Sequence, residues 1–216
     1  MKRNLKIATV LTAGAVAVGG LLAAGPVTAN SGGSTSAPDR STYQSVMTNR
    51  QHGRHGNDAT CVRTVLAAQG TLTAAQKATL AGMAEEEKLA HDLYTAFAER
   101  YDVRIFERIA AAETNHLTAV RTLLDRYDVT DPTAGQSAGD FADPAVQATY
   151  DRLLKQGEKS LDAALKAART VETDDIAVLT TALSGLTAPD TRRVYINLLA
   201  ASERHLVAFE RWIADE

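Results

Sequence analysis

Apolar residues recur at alternating steps of three and four beyond about residue 72, which is the spacing of helices that bury one face. Ala, Leu, Glu, Lys and Arg are abundant there and runs of β-branched residues are absent, which favours helix over strand. The pattern predicts a short helix at about residues 144–156 and four long helices, at about residues 73–100, 104–127, 158–184 and 189–214. The first connection is short, so those two helices should be antiparallel neighbours. We predict an all-α, antiparallel four-helix bundle with a short extra helix in the crossover between its second and third long helices.

Each long helix carries at least one metal-binding type of side chain near the middle of its apolar stripe. These residues are Glu87 in the first, Glu113 and His116 in the second, Glu172 in the third and His205 in the fourth. Three unpaired buried carboxylates would remove much of the roughly 5–15 kcal/mol by which a domain is stable. A metal ion compensates them, because carboxylates bridge and chelate it and imidazoles complete its coordination. The sequence therefore predicts a metal site inside the bundle with these five residues as ligands.

Other side chains compete for places in this site. Glu86 directly precedes Glu87 in an acidic run, so a small error in helix phase would exchange one for the other. Asp175 and His91 lie three and four residues beyond the expected ligands Glu172 and Glu87, and both are candidate additional ligands.

A salt-bridge network without a metal is the alternative explanation for the buried charges. Arg108 and Arg121 are available for such a network, although both lie off the apolar stripes. In that case the chain would be a non-catalytic envelope or partner-binding helical module whose buried Glu and His residues form a protein-only network.

The first 29 residues have the layout of a secretory signal peptide. Three basic residues are followed by an uncharged apolar stretch from Ile7 to Ala24 and by small residues that end at Ala29. We predict a secreted or extracytoplasmic protein, with an uncleaved N-terminal helix that tethers the chain to a membrane as the alternative. Loss of residues 1–29 changes the net charge from −3 to −6, and an acidic chain does not favour a nucleic-acid partner.

Residues 30–70 should be a flexible segment, because Ser, Gly and Thr dominate and apolar residues are few. Cys61 is the only cysteine of the chain, so no intramolecular disulfide can form. His52 and His55 lie in the same segment without a preset geometry for a metal. The bundle should occupy residues 71–216, beginning where Thr71 or Thr73 can cap the first helix.

Three segments resemble a known prokaryotic family. They are Glu85-Glu86-Glu87-Lys88-Leu89-Ala90 with Tyr94, Ile105-Phe106 with Glu113-Thr114-Asn115-His116, and Ser202-Glu203-Arg204-His205-Leu206-Val207-Ala208-Phe209. From about residue 72 to 213 the chain resembles the ferritin-like family catalogued as domain of unknown function 2202. More distantly it resembles rubrerythrin-type di-iron proteins. That resemblance implies that Glu87, Glu113, His116 and Glu172 are ligands and that Tyr94 orients a ligand carboxylate.

The fourth helix departs from the rubrerythrin pattern. Its stripe runs from Tyr195 to Trp212, and Ser202 stands where a second Glu-x-x-His motif would have its Glu. Glu203 is a candidate substitute, but it lies two residues before His205, about 200° around a regular helix. The site therefore has fewer carboxylates than a full di-iron centre, and both a mononuclear and a dinuclear site remain open.

The resemblance implies a protein that binds iron, with Mn(II) or another divalent metal as the alternative. If the centre is redox-active, it would oxidise Fe(II) or reduce oxygen or peroxide. The sequence assigns no catalytic residue, and the hydrolase motifs Gly-x-Ser-x-Gly and His-Glu-x-x-His are absent from it. We expect a metal ion as partner and no membrane span after signal cleavage, while nothing in the sequence predicts the oligomeric state.

Overall fold

The computed structural model describes residues 67–215, and all of the regular secondary structure in this range is helical. The helices are α1 (Ala74–Tyr101), α2 (Arg104–Arg126), α3 (Pro144–Gly157), α4 (Leu161–Leu183) and α5 (Pro189–Asp215). This part of the chain contains no strand, so the predicted all-helical class is confirmed. The predicted signal peptide, Cys61, His52 and His55 lie outside the described residues.

Side-chain caps fix where the helices begin. Thr73 rather than Thr71 caps α1, because its hydroxyl accepts from Gln76 N at 3.2 Å while the Gln76 side chain accepts from Thr73 N at 2.9 Å. Ser160 caps α4 by accepting from Ala163 N at 3.1 Å. That cap explains why α4 begins three residues later than the expected start at residue 158.

The four long helices contact one another in a closed ring. Helix α1 packs on α2 and α4, and α5 packs on the same two helices from the other side. The short helix α3, which belongs to the crossover between α2 and α4, packs on α1 and α4. None of the helices within residues 67–215 has both the length and the apolar composition needed to cross a bilayer.

Two apolar clusters fill the interior, and a layer of polar residues separates them along every long helix. On α1, Leu80 and Met83 belong to one cluster and Leu93 and Phe97 to the other, with Glu87 between them. The order of the clusters is reversed on α2, as expected for an antiparallel neighbour. The polar layer contains Glu87, Glu113, His116, Glu172 and His205. The helical pattern thus places all five residues at one level of the interior.

The crossover between α2 and α3 is held onto α1 by charged side chains. Lys88 and Asp92 form a buried ion pair, 2.5 Å between Nζ and Oδ2. Lys88 Nζ also donates to Ser137 O at 2.7 Å, and Asp92 Oδ2 accepts from Gly139 N at 2.9 Å. The charged run at the middle of α1 is therefore covered by the chain and is not a solvated face.

One position predicted from the apolar stripes was wrong. Trp212 was expected to lie in the interior as the last apolar residue of the α5 stripe, but 41% of its surface is exposed. It lies in the last turn of α5, beyond the apolar cluster that contains Phe209.

The close approach of α3 to α1 depends on Gly157. A Cβ at this position would lie 2.2 Å from Phe97 Cζ and 3.1 Å from Ala164 Cα, and Phe97 is fully buried. We expect Gly157→Ala to lower the free energy of unfolding by about 1–3 kcal/mol, because a fully buried ring has no space to move into.

Urea unfolding measures this difference, and Gly82→Ala on α1 is the matched control. A Cβ at Gly82 meets nothing within 4 Å. The control should therefore raise the stability by about 0.5–1 kcal/mol through helix propensity alone. A Gly157→Ala variant as stable as the Gly82→Ala variant would contradict the packing argument.

Candidate metal centre

Two histidines and three glutamates meet in the polar layer. His116 Nδ1 lies 2.5 Å from Glu113 Oε2 and 3.5 Å from Glu87 Oε2. His205 Nδ1 lies 2.9 Å from Glu113 Oε1 and 3.6 Å from Glu172 Oε1. All four long helices therefore contribute a side chain, and the five residues predicted as ligands come together.

Glu113 lies at the centre of this arrangement. One carboxylate oxygen faces His116 and the other faces His205, and the two imidazole rings stack with centroids 5.7 Å apart. Two groups of metal-binding atoms result, each with its atoms within 4.8 Å of one another, and Glu113 belongs to both. One group adds Glu87 and His116, and the other adds Glu172 and His205.

Tyr94 holds the Glu172 carboxylate. Its hydroxyl donates to Glu172 Oε1 at 2.7 Å, and the ring is fully buried between Phe106 and Phe209. A buried donor of this kind fixes the orientation of a carboxylate, because the alternative rotamers would leave both polar groups without a partner. The predicted contact of Tyr94 with a carboxylate of the cluster is present.

Burial and close packing of charges shift the protonation of the cluster. Burial alone would raise the pKa of Glu113, but His116 and His205 outweigh it and lower the pKa to about 2. Burial opposes the charge of His116 too, yet Glu113 and Glu87 raise its pKa to about 11. Without a metal, His116 is therefore an imidazolium that faces an ionised Glu113.

The pKa values of the other three residues of the cluster are also shifted. Burial sets the direction for the two glutamates, whereas neighbouring carboxylates set it for His205. Burial raises the pKa of Glu87 to about 7, with Glu113 adding to the increase and His116 reducing it. Burial also raises the pKa of Glu172. The pKa of His205 rises to about 9, because the contacts with Glu113 and Glu172 outweigh the effect of burial.

The residues of the cluster fit a divalent metal. Nδ1 of His205 is buried and lies 2.9 Å from Glu113 Oε1, but within the described residues it has no hydrogen bond of good geometry. A buried nitrogen without a well-directed partner is costly, and in the neutral ring a metal ion could bind its lone pair. Carboxylate oxygens and imidazole nitrogens together suit iron, manganese and zinc. The buried Glu and His groups could therefore hold a metal ion.

The additional candidates lie in different surroundings. Glu203 is exposed, as its position on the far side of α5 from His205 dictates. His91 is half-buried and its Nδ1 lies 2.9 Å from Asp92 Oδ1, so it belongs to the contacts that hold the crossover. The structure brings neither residue into the two groups.

Glu86 and Asp175 lie beside the cluster but outside it. Burial, followed by Asp174, raises the pKa of Glu86 to about 7. Asp175 is buried, and its pKa lies well above the usual range because of burial and the nearby Glu172 carboxylate. Both side chains therefore add acidic groups around the five residues without joining either of the two groups.

The arginines considered for a protein-only network do not reach the cluster. Arg121 pairs with Asp131, 2.9 Å from Nε to Oδ2, and Arg108 is exposed. The histidines are therefore the cations that face Glu87, Glu113 and Glu172.

Ser202 is buried where the second Glu-x-x-His motif would have its Glu, and its hydroxyl donates to Leu198 O at 3.3 Å.

Tyr195 was treated in the sequence only as an apolar position of the α5 stripe. Its ring is 2% exposed, and within the described residues its hydroxyl has no hydrogen-bond partner. Burial and the charge of Glu87 raise its pKa. Its place on the α5 stripe, two helical turns before Ser202, is the sequence signal that could have identified it as a residue near the cluster.

A helical protein with a buried Glu/His cluster is the class that these observations define. The chain belongs to the family described as an uncharacterized protein domain, DUF2202, which matches residues 76–216.

The uncharacterized protein MJ0754 of Methanocaldococcus jannaschii is 38% identical over 138 residues, which cover 64% of this chain and 75% of that protein. The crystal structure of hypothetical protein MJ0754 from Methanococcus jannaschii is similar with a TM-score of 0.67 and 35% identity. That similarity covers 68% of this chain and 85% of the crystallised one.

Glu113 should control the protonation of both histidines in the metal-free protein. We expect Glu113→Gln to lower the pKa of His116 from about 11 and that of His205 from about 9, because each loses a charged neighbour. The histidine ring signals in an NMR pH titration measure both changes.

Glu203→Gln is the control, since it removes an exposed carboxylate two residues from His205. It should leave both titrations unchanged. Glu113→Gln should also lower the stability by about 3–5 kcal/mol near neutral pH, as expected when one partner of a buried ion pair is removed. Unchanged histidine titrations in Glu113→Gln would contradict the central role of this residue.

Proposed function

We propose that this chain is a ferritin-like protein that binds two metal ions, iron above all, between Glu87, Glu113, His116, Glu172 and His205. The observation that carries the proposal is the shared carboxylate of Glu113, which belongs to two groups of possible ligands. One group would hold one ion through Glu87, Glu113 and His116, and the other would hold the second through Glu113, Glu172 and His205.

The arrangement of the helices supports the ferritin-like part of the proposal. Four long helices in a closed ring, with a short helix over the crossover between the second and third, is the layout of a four-helix bundle with one crossover. In di-iron proteins of this kind the ligands project inward from all four helices. The polar layer between the two apolar clusters has that arrangement.

The residues of the chain supply the environment that a redox metal needs. Iron held by carboxylates and imidazoles supplies one-electron chemistry with oxygen or peroxide, which is the oxidase or peroxidase-type activity that we propose. Tyr94 keeps one oxygen of Glu172 occupied and so fixes the carboxylate. The two apolar clusters on either side exclude water, which strengthens the attraction between the ligands and a cation.

Ser202 makes this centre poorer in carboxylate than a rubrerythrin-type centre. Three carboxylates against two divalent ions leave a net positive charge, whereas a fourth carboxylate would neutralise the site. The missing negative charge can come from the neighbouring acids Glu86 and Asp175 or from an anionic ligand from outside the chain. We also propose that the protein acts outside the cytoplasm, on the grounds of the signal-like layout of residues 1–29.

The number of metal ions bound per chain tests whether Glu113 is shared by two metal sites. Protein loaded anaerobically with Fe(II) or Mn(II) and then desalted should hold two ions per chain by elemental analysis. His116→Ala and His205→Ala should each hold about one, because each removes a ligand of one group only. Glu113→Gln should hold fewer than either, because both groups lose a ligand.

Glu203→Gln serves again as the control, and it should hold as much metal as the natural sequence. Metal-free protein after this loading would refute metal binding. Equal losses in all three ligand variants would refute two separate groups with one shared carboxylate.

A protein-only network is the second candidate, and the raised pKa values of the histidines favour it. With pKa values of about 11 and 9, both imidazoles are protonated at neutral pH in the metal-free chain and already offset two carboxylates. The chain would then be a helical module that binds a partner through its surface and holds no metal.

Chelation separates the two candidates. A metal that binds only the folded state stabilises it by about 2.7 kcal/mol at one hundred times its dissociation constant. We therefore expect EDTA to lower the melting temperature of Mn(II)-loaded protein by several degrees and not to change that of metal-free protein. A melting temperature that is independent of both Mn(II) and EDTA would favour the protein-only network.

A further inference from the structure

A cavity of about 530 Å³ lies between the start of α2 and the last turns of α5. Its walls include Ile105, Ile109 and Ala208, with Trp212 among its lining residues. His205 also lines it, and 13% of the His205 side chain is exposed. The same histidine whose Nδ1 faces Glu113 and Glu172 therefore borders a cavity large enough for a small organic molecule.

The polar part of this cavity is positively charged. Arg104 and Arg108, one turn apart on α2, both line it, and neither forms a salt bridge within residues 67–215. Asp102 contributes the single carboxylate, so two guanidinium groups face one acid. Neither guanidinium group is engaged by an acid of the described part of the chain, so both are available to an anion in the cavity.

The start of α2 adds to this preference. Val103 is the N-cap of α2 and offers no side-chain hydrogen bond to the first turn. The first N–H groups of a 23-residue helix are thus uncapped by a side chain at the edge of the cavity, and this end of a helix carries partial positive charge. The arginines and the helix end act in the same direction.

The apolar part of the cavity indicates the rest of the ligand. Trp212 is one of the few large apolar residues that are well exposed, and aromatic surface of this kind stacks on planar groups. Ile105 and Ile109 offer apolar wall beside the arginines, because each follows one of them directly in α2. A ligand that satisfies both parts has a planar apolar body and one anionic group.

We propose that this cavity, defined by Arg104, Arg108, Ile109, His205 and Trp212, binds a small aromatic carboxylate or a similar planar organic anion next to the His205 side of the metal cluster. The anionic group pairs with Arg104 and Arg108, and the planar body lies against Trp212 and the isoleucines. The binding itself stands on the cavity alone. The role of the bound anion as substrate or effector of the cluster rests on the function proposed above.

Fluorescence of Trp212 tests the binding, because this is the only tryptophan of the chain. We expect benzoate to change the emission of metal-free protein saturably, with a dissociation constant that rises with ionic strength. Benzamide has the same shape without the charge, and should bind at least tenfold more weakly. Benzamide that binds as tightly as benzoate would overturn the proposal.

Variants locate the site. Arg104→Gln combined with Arg108→Gln should weaken benzoate binding at least tenfold, and both positions are exposed, so the helix should remain folded. Arg193→Gln at the other end of α5 is the matched control and should bind benzoate as the natural sequence does. Ala208→Phe fills the cavity without changing a charge and should also abolish binding. Undiminished binding in either the arginine variant or the filled variant would overturn the assignment.

Cobalt spectroscopy tests the link with the cluster. In Co(II)-loaded protein, benzoate should shift the visible absorption of the metal, and the arginine variant should require at least tenfold more benzoate for the same shift. If the protein binds no Co(II), the proposed metal function fails while the benzoate result on metal-free protein still stands. If Co(II) binds and benzoate changes Trp212 emission but not the metal spectrum, the cavity is not part of the centre.

Discussion

Three carboxylates buried at one level of a helical interior must be neutralised, and the rest of the structure is arranged around this requirement. Glu113 lies in the middle and faces an imidazole with each of its two oxygens. In the metal-free chain the protons on His116 and His205 supply the positive charge, as the raised pKa values of both residues indicate. A metal would have to displace these protons, so protons and metal compete for the same lone pairs. The same geometry could therefore serve both the metal-free fold and a metal site.

The sequence predicts this layer well because helix geometry alone determines it. Steps of three and four put Glu87, Glu113, His116, Glu172 and His205 on the buried faces of their helices, and antiparallel neighbours bring the middles of the helices to the same level. Sequence alone could also exclude Glu203 from the face of His205, since two residues are about 200° of rotation apart. The contact between Tyr94 and Glu172 came from the family resemblance rather than from spacing.

Features that depend on the crossover could not be predicted from helix periodicity. Lys88 and Asp92 have the spacing of an exposed pair on a helix surface, and they are buried only because the segment with Ser137 and Gly139 covers them. Glu85 likewise accepts from the backbone of Asp143 at 2.8 Å. Thus Glu85 and Glu87, only two residues apart, serve opposite faces of α1. A periodic pattern records which face is apolar, but not which loop will cover the other face.

The two halves of the cluster differ in their access to solvent. The His116 side chain is 7% exposed and the His205 side chain 13%, and only the latter borders the cavity with Arg104, Arg108 and Trp212. Ser202, one turn before His205 on the same face, also leaves this half without the carboxylate that a second Glu-x-x-His motif would provide. Each group still contains two carboxylates and one imidazole, so the feature that distinguishes the His205 group is its border with the arginine-lined cavity. An anion bound in that cavity would therefore approach the cluster through His205 and not through His116.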